Sequence, residues 1–133
     1  HNEEERQKQS PYNFVYFVLN DNREKLYERI EQRNNLMFKE GVLEEARFLF
    51  EHGETCTAAQ AIGYKELAAA FEGRLSLEEA VEKIKMESRR YAKRQLSWLR
   101  GQSDVNWFLW KKEPNFQEAS LFSTGILGKY GIL

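Results

Sequence analysis

Seven cations fall on one side of a single candidate helix: Lys83, Lys85, Arg89, Arg90, Lys93, Arg94 and Arg100. At about 100° per residue they oppose an arc of Leu77, Ala80, Val81, Ile84, Tyr91, Trp98 and Leu99. Between positions 83 and 100 the only acid is Glu87, so the basic face has almost no neutralising charge of its own. Such a field calls for an anionic partner or an acidic neighbour. Dense, one-signed charge beside Tyr91, Gln95, Ser97 and Trp98, which can stack on or hydrogen-bond to a nucleotide, favours a nucleic-acid backbone over a merely solvated face. Ser88 and Gln95 interrupt the apolar arc. A buried Gln must satisfy both its carbonyl and its amide, from neighbouring backbone or from a ligand.

Two further groups carry possible chemistry. Arg33 falls inside the apolar stripe of an earlier helix, where a guanidinium aimed inward demands an anion: a nearby Glu, or a phosphate or diphosphate ligand. The segment Gln60, Ala61, Ile62, Gly63, Tyr64, Lys65 sets a glycine between an apolar residue and a Tyr-Lys pair. Gly63 would let the backbone approach a ligand closely, Tyr64 offers a stacking face and Lys65 a charge. Equally, Gly63 could ease a helix start while Tyr64 belongs to the core.

The elements that must position these groups are legible in outline. Ser76 with Glu79 has the form of a capping box and predicts a long helix over residues 76–101. The run 12–19, YNFVYFVL, reads as a strand; being almost continuously apolar, it suits a parallel sheet covered on both faces. Asp21 or Asn22 can cap a helix that carries Leu26, Ile30 and Met37 inward and stops at Gly41. A short amphipathic helix over 42–50 closes at His52-Gly53, with His52 a favourable charge at a helix end. Another helix ends near Gly73. Residues 105–110, VNWFLW, read as a second strand with core aromatics. The remainder offers one weak helix at 116–122 and then a glycine-spaced tail without a phosphate-binding loop pattern. The fold class is α/β, mostly helical with two short strands. Residues 1–10 read as a polar linker, 11–112 as part of a larger core together with the helices that would contact nucleic acid, and 113–133 as a weakly structured tail.

Bulk properties set limits. The 133 residues, 41% of them hydrophobic, suffice for one domain of modest core. No apolar run reaches the roughly 20 residues that span a bilayer, and the start HNEEERQKQS is charged where a secretory signal would be apolar; an intracellular, cytoplasmic protein is expected. A monomer is the expectation for its assembly, though no residue pattern decides it. Cys56 is the only cysteine, which excludes an intrachain disulfide and a multi-cysteine zinc site. The net charge of −1 hides an acidic start and a basic stretch from Lys83 onward, so any polyanion would meet the second half.

QAIGYKEL, followed some twenty residues later by SLEEAVEKIK…SRRYAKRQLSWLRG, closely resembles the carboxy-terminal part of bacterial tRNA dimethylallyltransferases. The similarity extends through LYERIEQRNNLMFKEGVLEEA and from Pro11 to Phe108. It implies a P-loop NTPase-like parallel-sheet core, transfer of a dimethylallyl group from its diphosphate to N6 of the adenosine beside the anticodon, and Mg2+ to neutralise the leaving diphosphate. Gln60, Ala61, Ile62, Gly63, Tyr64 and Lys65 fall on one tRNA-contacting segment of the family. Lys93, Arg94, Gln95, Leu96, Ser97, Trp98, Leu99 and Arg100 fall on a second. Arg33 matches an arginine placed near the diphosphate channel. The family's phosphate-binding loop, catalytic aspartate and threonine-bearing segment lie in an amino-terminal half with no counterpart here. The chain is therefore expected to be a portion that binds the tRNA anticodon stem-loop, holds no catalytic or metal-binding residue, and is inactive alone. A basic helical module for an acidic protein or a membrane surface is the rival from another class.

Overall fold

The structure, a computed structural model, describes residues 11–53 and 57–132; the linker expected at 1–10, and Cys56, lie outside them. The chain divides into two compact units, one spanning Asn22–Leu99 and the other formed by residues up to 21 together with those from 100 onward.

The first unit is four helices. In α1, Arg23–Lys39, the Asn22 side chain accepts the Lys25 N–H at 2.9 Å, which supplies one partner for the free donors of the first turn. Gly41 follows at φ 102° and reverses the chain into α2, Val42–His52. A 3-10 turn, Thr57–Gln60, leads to α3, Tyr64–Phe71. There Arg74 N–H donates to Ala69 O at 2.9 Å and Gly73 N–H to Ala70 O at 3.0 Å. With Gly73 at φ 75° this is a Schellman closure, which a side chain at that position would strain. The long α4, Leu77–Arg100, opens on the expected capping box: Ser76 N–H donates to Glu79 Oε2 at 2.7 Å and Glu79 N–H to Ser76 Oγ at 3.1 Å.

Ala46 of α2, Leu67 of α3 and Ala80 and Ile84 of α4 form the buried core of this unit, with Phe38, Leu43 and Tyr64 packed against it. The two alanines let helices approach closely around the two larger side chains, Leu67 and Ile84. Only the first half of the α4 arc is packed in this way. Leu77, Tyr91 and Trp98, expected to face inward, are 45%, 55% and 59% exposed: Leu77 lies ahead of the core contacts at Ala80 and Ile84, and Tyr91 and Trp98 lie beyond them.

In the second unit β1, Tyr16–Asn20, pairs in parallel with β2, Val105–Leu109, in the register Tyr16↔Val105 to Asn20↔Leu109. The parallel direction is the expected one; the length and coverage are not. Residues 12–15 lie outside the ladder, since β2 begins only after Asp104 at φ 64° and offers them no partner. Tyr16, Leu19, Trp107 and Leu109 are more than a third exposed, so the pair is not covered on both faces. Helix α5, Phe116–Lys129, sets Phe122 against Phe108 and Phe17, ring centroids 5.1 and 6.2 Å apart.

Helix α5 corrects the expectation of a weak helix ending at 122 and a loose tail. Gly125 and Gly128 sit inside it, costing about 1 kcal/mol each without breaking it. The stop comes at Gly131, φ 69°, where Ile132 N–H reaches Leu127 O at 3.0 Å. Asn115 Oδ1 starts the helix by accepting from Gln117 N–H at 3.1 Å and Glu118 N–H at 3.3 Å. Asn115→Ala should cost about 1 kcal/mol in urea unfolding, and Asn115→Asp should cost little, because Asp caps as well as Asn.

Candidate functional site

The residues that fitted the apolar stripes badly in sequence meet at one place. A cleft of about 390 Å³ opens within the four-helix unit, walled on the α1 side by Ile30, Arg33, Asn34 and Met37 and on the α4 side by Ser88, Tyr91 and Gln95. Ile62 and Gly63 close one end, and Leu67 and Ile84 link it to the core. The cleft is of a size that holds a small ligand or one nucleotide, apolar-walled with a few convergent polar groups.

Arg33 is exposed and not buried, which corrects the inward aim read from its helical position. No ion pair joins it to a described acid, so the nearby-Glu alternative is not realised among the described residues. Gln95 is likewise exposed and lines the cleft, and is not sealed in a core. Asn34, which sequence reasoning passed over, is buried and donates from Nδ2 to Ile30 O at 2.9 Å.

Gly63 caps α3 at φ 104° and ψ −57°, and a Cβ placed there would meet nothing within 4 Å, so its backbone angles and not crowding favour glycine. Of the segment around it, Ile62 and Gly63 line the cleft, Gln60, Ala61 and Lys65 are exposed, and Tyr64 packs on the core. On α4, Lys93, Arg94, Ser97, Trp98 and Arg100 are exposed and Leu96 and Leu99 half-buried. None of these seven lines the cleft.

The basic face is partly spoken for. Lys85 Nζ lies 3.3 Å from Glu31 of α1 and 3.4 Å from Glu82, and Arg90 lies 2.7 Å from Glu87. Seven cations less these two leaves five: Lys83, Arg89, Lys93, Arg94 and Arg100, without an ion pair among the described residues. The Arg94 guanidinium stands 5.9 Å from the Tyr91 ring centroid, a cation–π distance at the outer limit.

The hydrogen bond to Glu31 raises the Lys85 pKa above its ordinary 10.5; burial opposes the rise and Glu82 adds to it. A lysine whose folded-state pKa exceeds its unfolded value stabilises the fold fully below the unfolded value, and the contribution fades as pH rises through the folded one. Glu31→Gln should therefore lower stability at neutral pH, and its urea midpoint should converge on that of the unaltered chain above pH 10.5.

His52, at the end of α2, directs Nδ1 to Phe48 O at 3.1 Å and stacks on the Phe48 ring, a helix-end role. Among the described residues no three His, Cys, Asp or Glu side chains converge on a possible metal position, and no helix is long and apolar enough to cross a membrane.

The IPP transferase family model matches residues 1–102. The tRNA dimethylallyltransferase of Streptococcus gordonii is 53% identical over 97 residues, 73% of this chain and 33% of that protein. Its counterpart in Lachnoclostridium phytofermentans is 45% identical over 125 residues, 92% of this chain and 39% of that protein. The crystal structure of the full-length tRNA isopentenylpyrophosphate transferase of Bacillus halodurans matches with a TM-score of 0.83 at 40% identity, over 96% of this chain and 42% of that one. The chain thus spans between a third and two fifths of the length of these curated relatives.

Proposed function

The chain belongs to the IPP transferase family, and from that membership we propose that it is the tRNA-gripping part of an enzyme that moves a dimethylallyl group from dimethylallyl diphosphate to N6 of the adenosine beside the anticodon. In that reaction the exocyclic nitrogen attacks the carbon bearing the diphosphate, the carbon–oxygen bond breaks, and cations stabilise the departing charge. The adenosine must leave its stack to reach the donor, and segments that receive a displaced nucleotide combine close backbone approach with stacking faces.

One observation carries the reading: the Gly63 turn and Gln95, from separate helices and separated by thirty-odd positions, share a cleft with Arg33, beside a helix bearing five cations that no described acid neutralises. The arrangement suits a polyanion that lays its backbone along α4 and turns one unit inward. Gln60, Ala61 and Lys65 are accessible beside the turn, and Lys93, Arg94, Ser97 and Trp98 along the helix. Arg33, free of any described acid, is suited to the diphosphate of the donor. The bond-making groups and the phosphate-binding loop are assigned to portions of the relatives that this chain does not match, and the parallel pair β1 and β2 to the edge of the P-loop-type sheet. The magnesium implied by the family finds no fitting donor set among the described residues, so no step through it falls to them.

Filter binding of an anticodon stem-loop to the chain, repeated across salt concentrations, tests the proposal. Affinity that falls steeply with salt supports it. Binding to anionic vesicles with none to RNA would put a membrane-surface module in its place.

A further inference from the structure

We propose that Glu66 is a positioning residue for the turn at residues 62–65, fixing through the Gly63 N–H the geometry with which this turn meets RNA. The inference rests on the RNA-gripping reading above and adds to it a residue outside both contact segments.

Glu66 is the third residue of α3 and is 2% exposed. Its Oε2 accepts the Gly63 N–H at 2.8 Å. Its Oε1 is buried with no hydrogen-bond partner, and the Lys65 ammonium stands 3.8 Å away. One carboxylate thus holds the backbone of the turn through Oε2, while its Oε1 makes no hydrogen bond and has only the Lys65 charge near it.

A helix cap alone does not require this arrangement. Glu79 makes the same bond to Ser76 N–H at 2.7 Å from an exposed position, where its carboxylate need not be desolvated. Burying the Glu66 carboxylate with an unsatisfied oxygen is costly, and an interior that tolerates it gains something else from the group. What it gains is definition of Gly63. That residue has no side chain to pack, sits at φ 104°, and has open space where a Cβ would be, so crowding leaves its orientation unspecified. The bond to Glu66 specifies it. Ile62 and Gly63 line the cleft, so their placement sets the shape of its end.

The test uses the full 133-residue chain and an anticodon stem-loop, with circular dichroism showing that each variant is folded at the temperature of measurement. Glu66→Ala should weaken RNA binding roughly tenfold, equivalent to about 1.4 kcal/mol, and accelerate hydrogen exchange at the Gly63 amide. Glu66→Gln, whose amide oxygen can accept the same bond, should restore binding to within about threefold. Gly63→Ala, which disturbs the turn from the backbone side while leaving the carboxylate in place, should reproduce the loss, and it decides the matter if Glu66→Ala does not fold. Wild-type affinity in a folded Glu66→Ala, or in Gly63→Ala where Glu66→Ala is unfolded, overturns the inference. So does a Glu66→Gln as weak as Glu66→Ala. If those variants bind normally while reversal of Lys93 and Arg94 weakens binding tenfold or more, only the role of Glu66 falls; if the reversal too has no effect, the RNA reading falls and takes this inference with it.

Discussion

Replacing Lys93 and Arg94 together by glutamate should reduce affinity for an anticodon stem-loop by one to two orders of magnitude at about 0.1 M salt and flatten its salt dependence. Each cation that meets a phosphate releases counterions and contributes roughly −0.7 to −0.9 to the slope of log K against log salt. Five cations on α4 have no ion pair with a described acid. If all five engage, the slope is about −3.5 to −4.5, and losing two brings it to about −2 to −2.7. Reversal adds repulsion to the loss, which is why the drop in affinity should exceed that of two neutral substitutions. Lys85 provides the internal control. It lies on the same basic side, but its ammonium is held by Glu31 and Glu82 at 3.3 and 3.4 Å. Lys85→Met should therefore lower stability and leave the slope unchanged. An equal effect on the slope at Lys85 and at Lys93 with Arg94 would mean that RNA responds to the general field of the helix and not to its unpaired cations.

The contrast between Lys85 and Lys93 also marks how far the sequence could be read. Local signals were sound: Ser76 with Glu79 gave the start of α4, Asn22 that of α1 and Gly41 its end, because each is decided within four residues of chain. The misfits in the periodic pattern were sound as well. Arg33, Ser88 and Gln95 each broke an apolar stripe, and all three line one cleft. Pairings across the chain were not legible. Glu31 reaches Lys85 over a separation of 54 positions, and helical periodicity carries no information about which acid another helix will present. The same holds for the length of β1, cut by where its partner begins. Helix α5 failed to show for another reason: interior glycines carry the same letter as a closing one, and only the hydrogen bonds around Gly131 tell them apart. The burial of Glu66 had a faint signal in its spacing three after Gly63, the place of the acid in a capping box, but with a glycine at the cap the pattern is incomplete.

Leu67→Ala should destabilise the chain by about 2–3 kcal/mol, the largest stability effect of any single substitution considered. Leu67 is 1% exposed and shares the core with Ala46, Ala80 and Ile84, so two of its three buried companions are already as small as the replacement. Truncation to alanine removes transfer energy of about 0.8 kcal/mol for each buried carbon, near 2.4 kcal/mol in all. A sealed cavity would add to that and carry the cost toward 5 kcal/mol. Leu67 also lines the cleft, however, so the vacated space joins the cleft and is not a sealed cavity, and the cavity contribution should be small. Against a typical domain stability of about 5–15 kcal/mol, and with each kcal/mol worth roughly 4–8 °C in a unit of this size, the melting temperature should fall by about 8–24 °C. Leu36, 53% exposed, supplies the comparison: Leu36→Ala should stay within about 0.5 kcal/mol. Thermal and urea melts of both variants decide the point. A loss at Leu67 no greater than that at Leu36 would mean that α3 is not anchored by this core, and the Gly63 turn at its start would then have no fixed base from which to shape the end of the cleft.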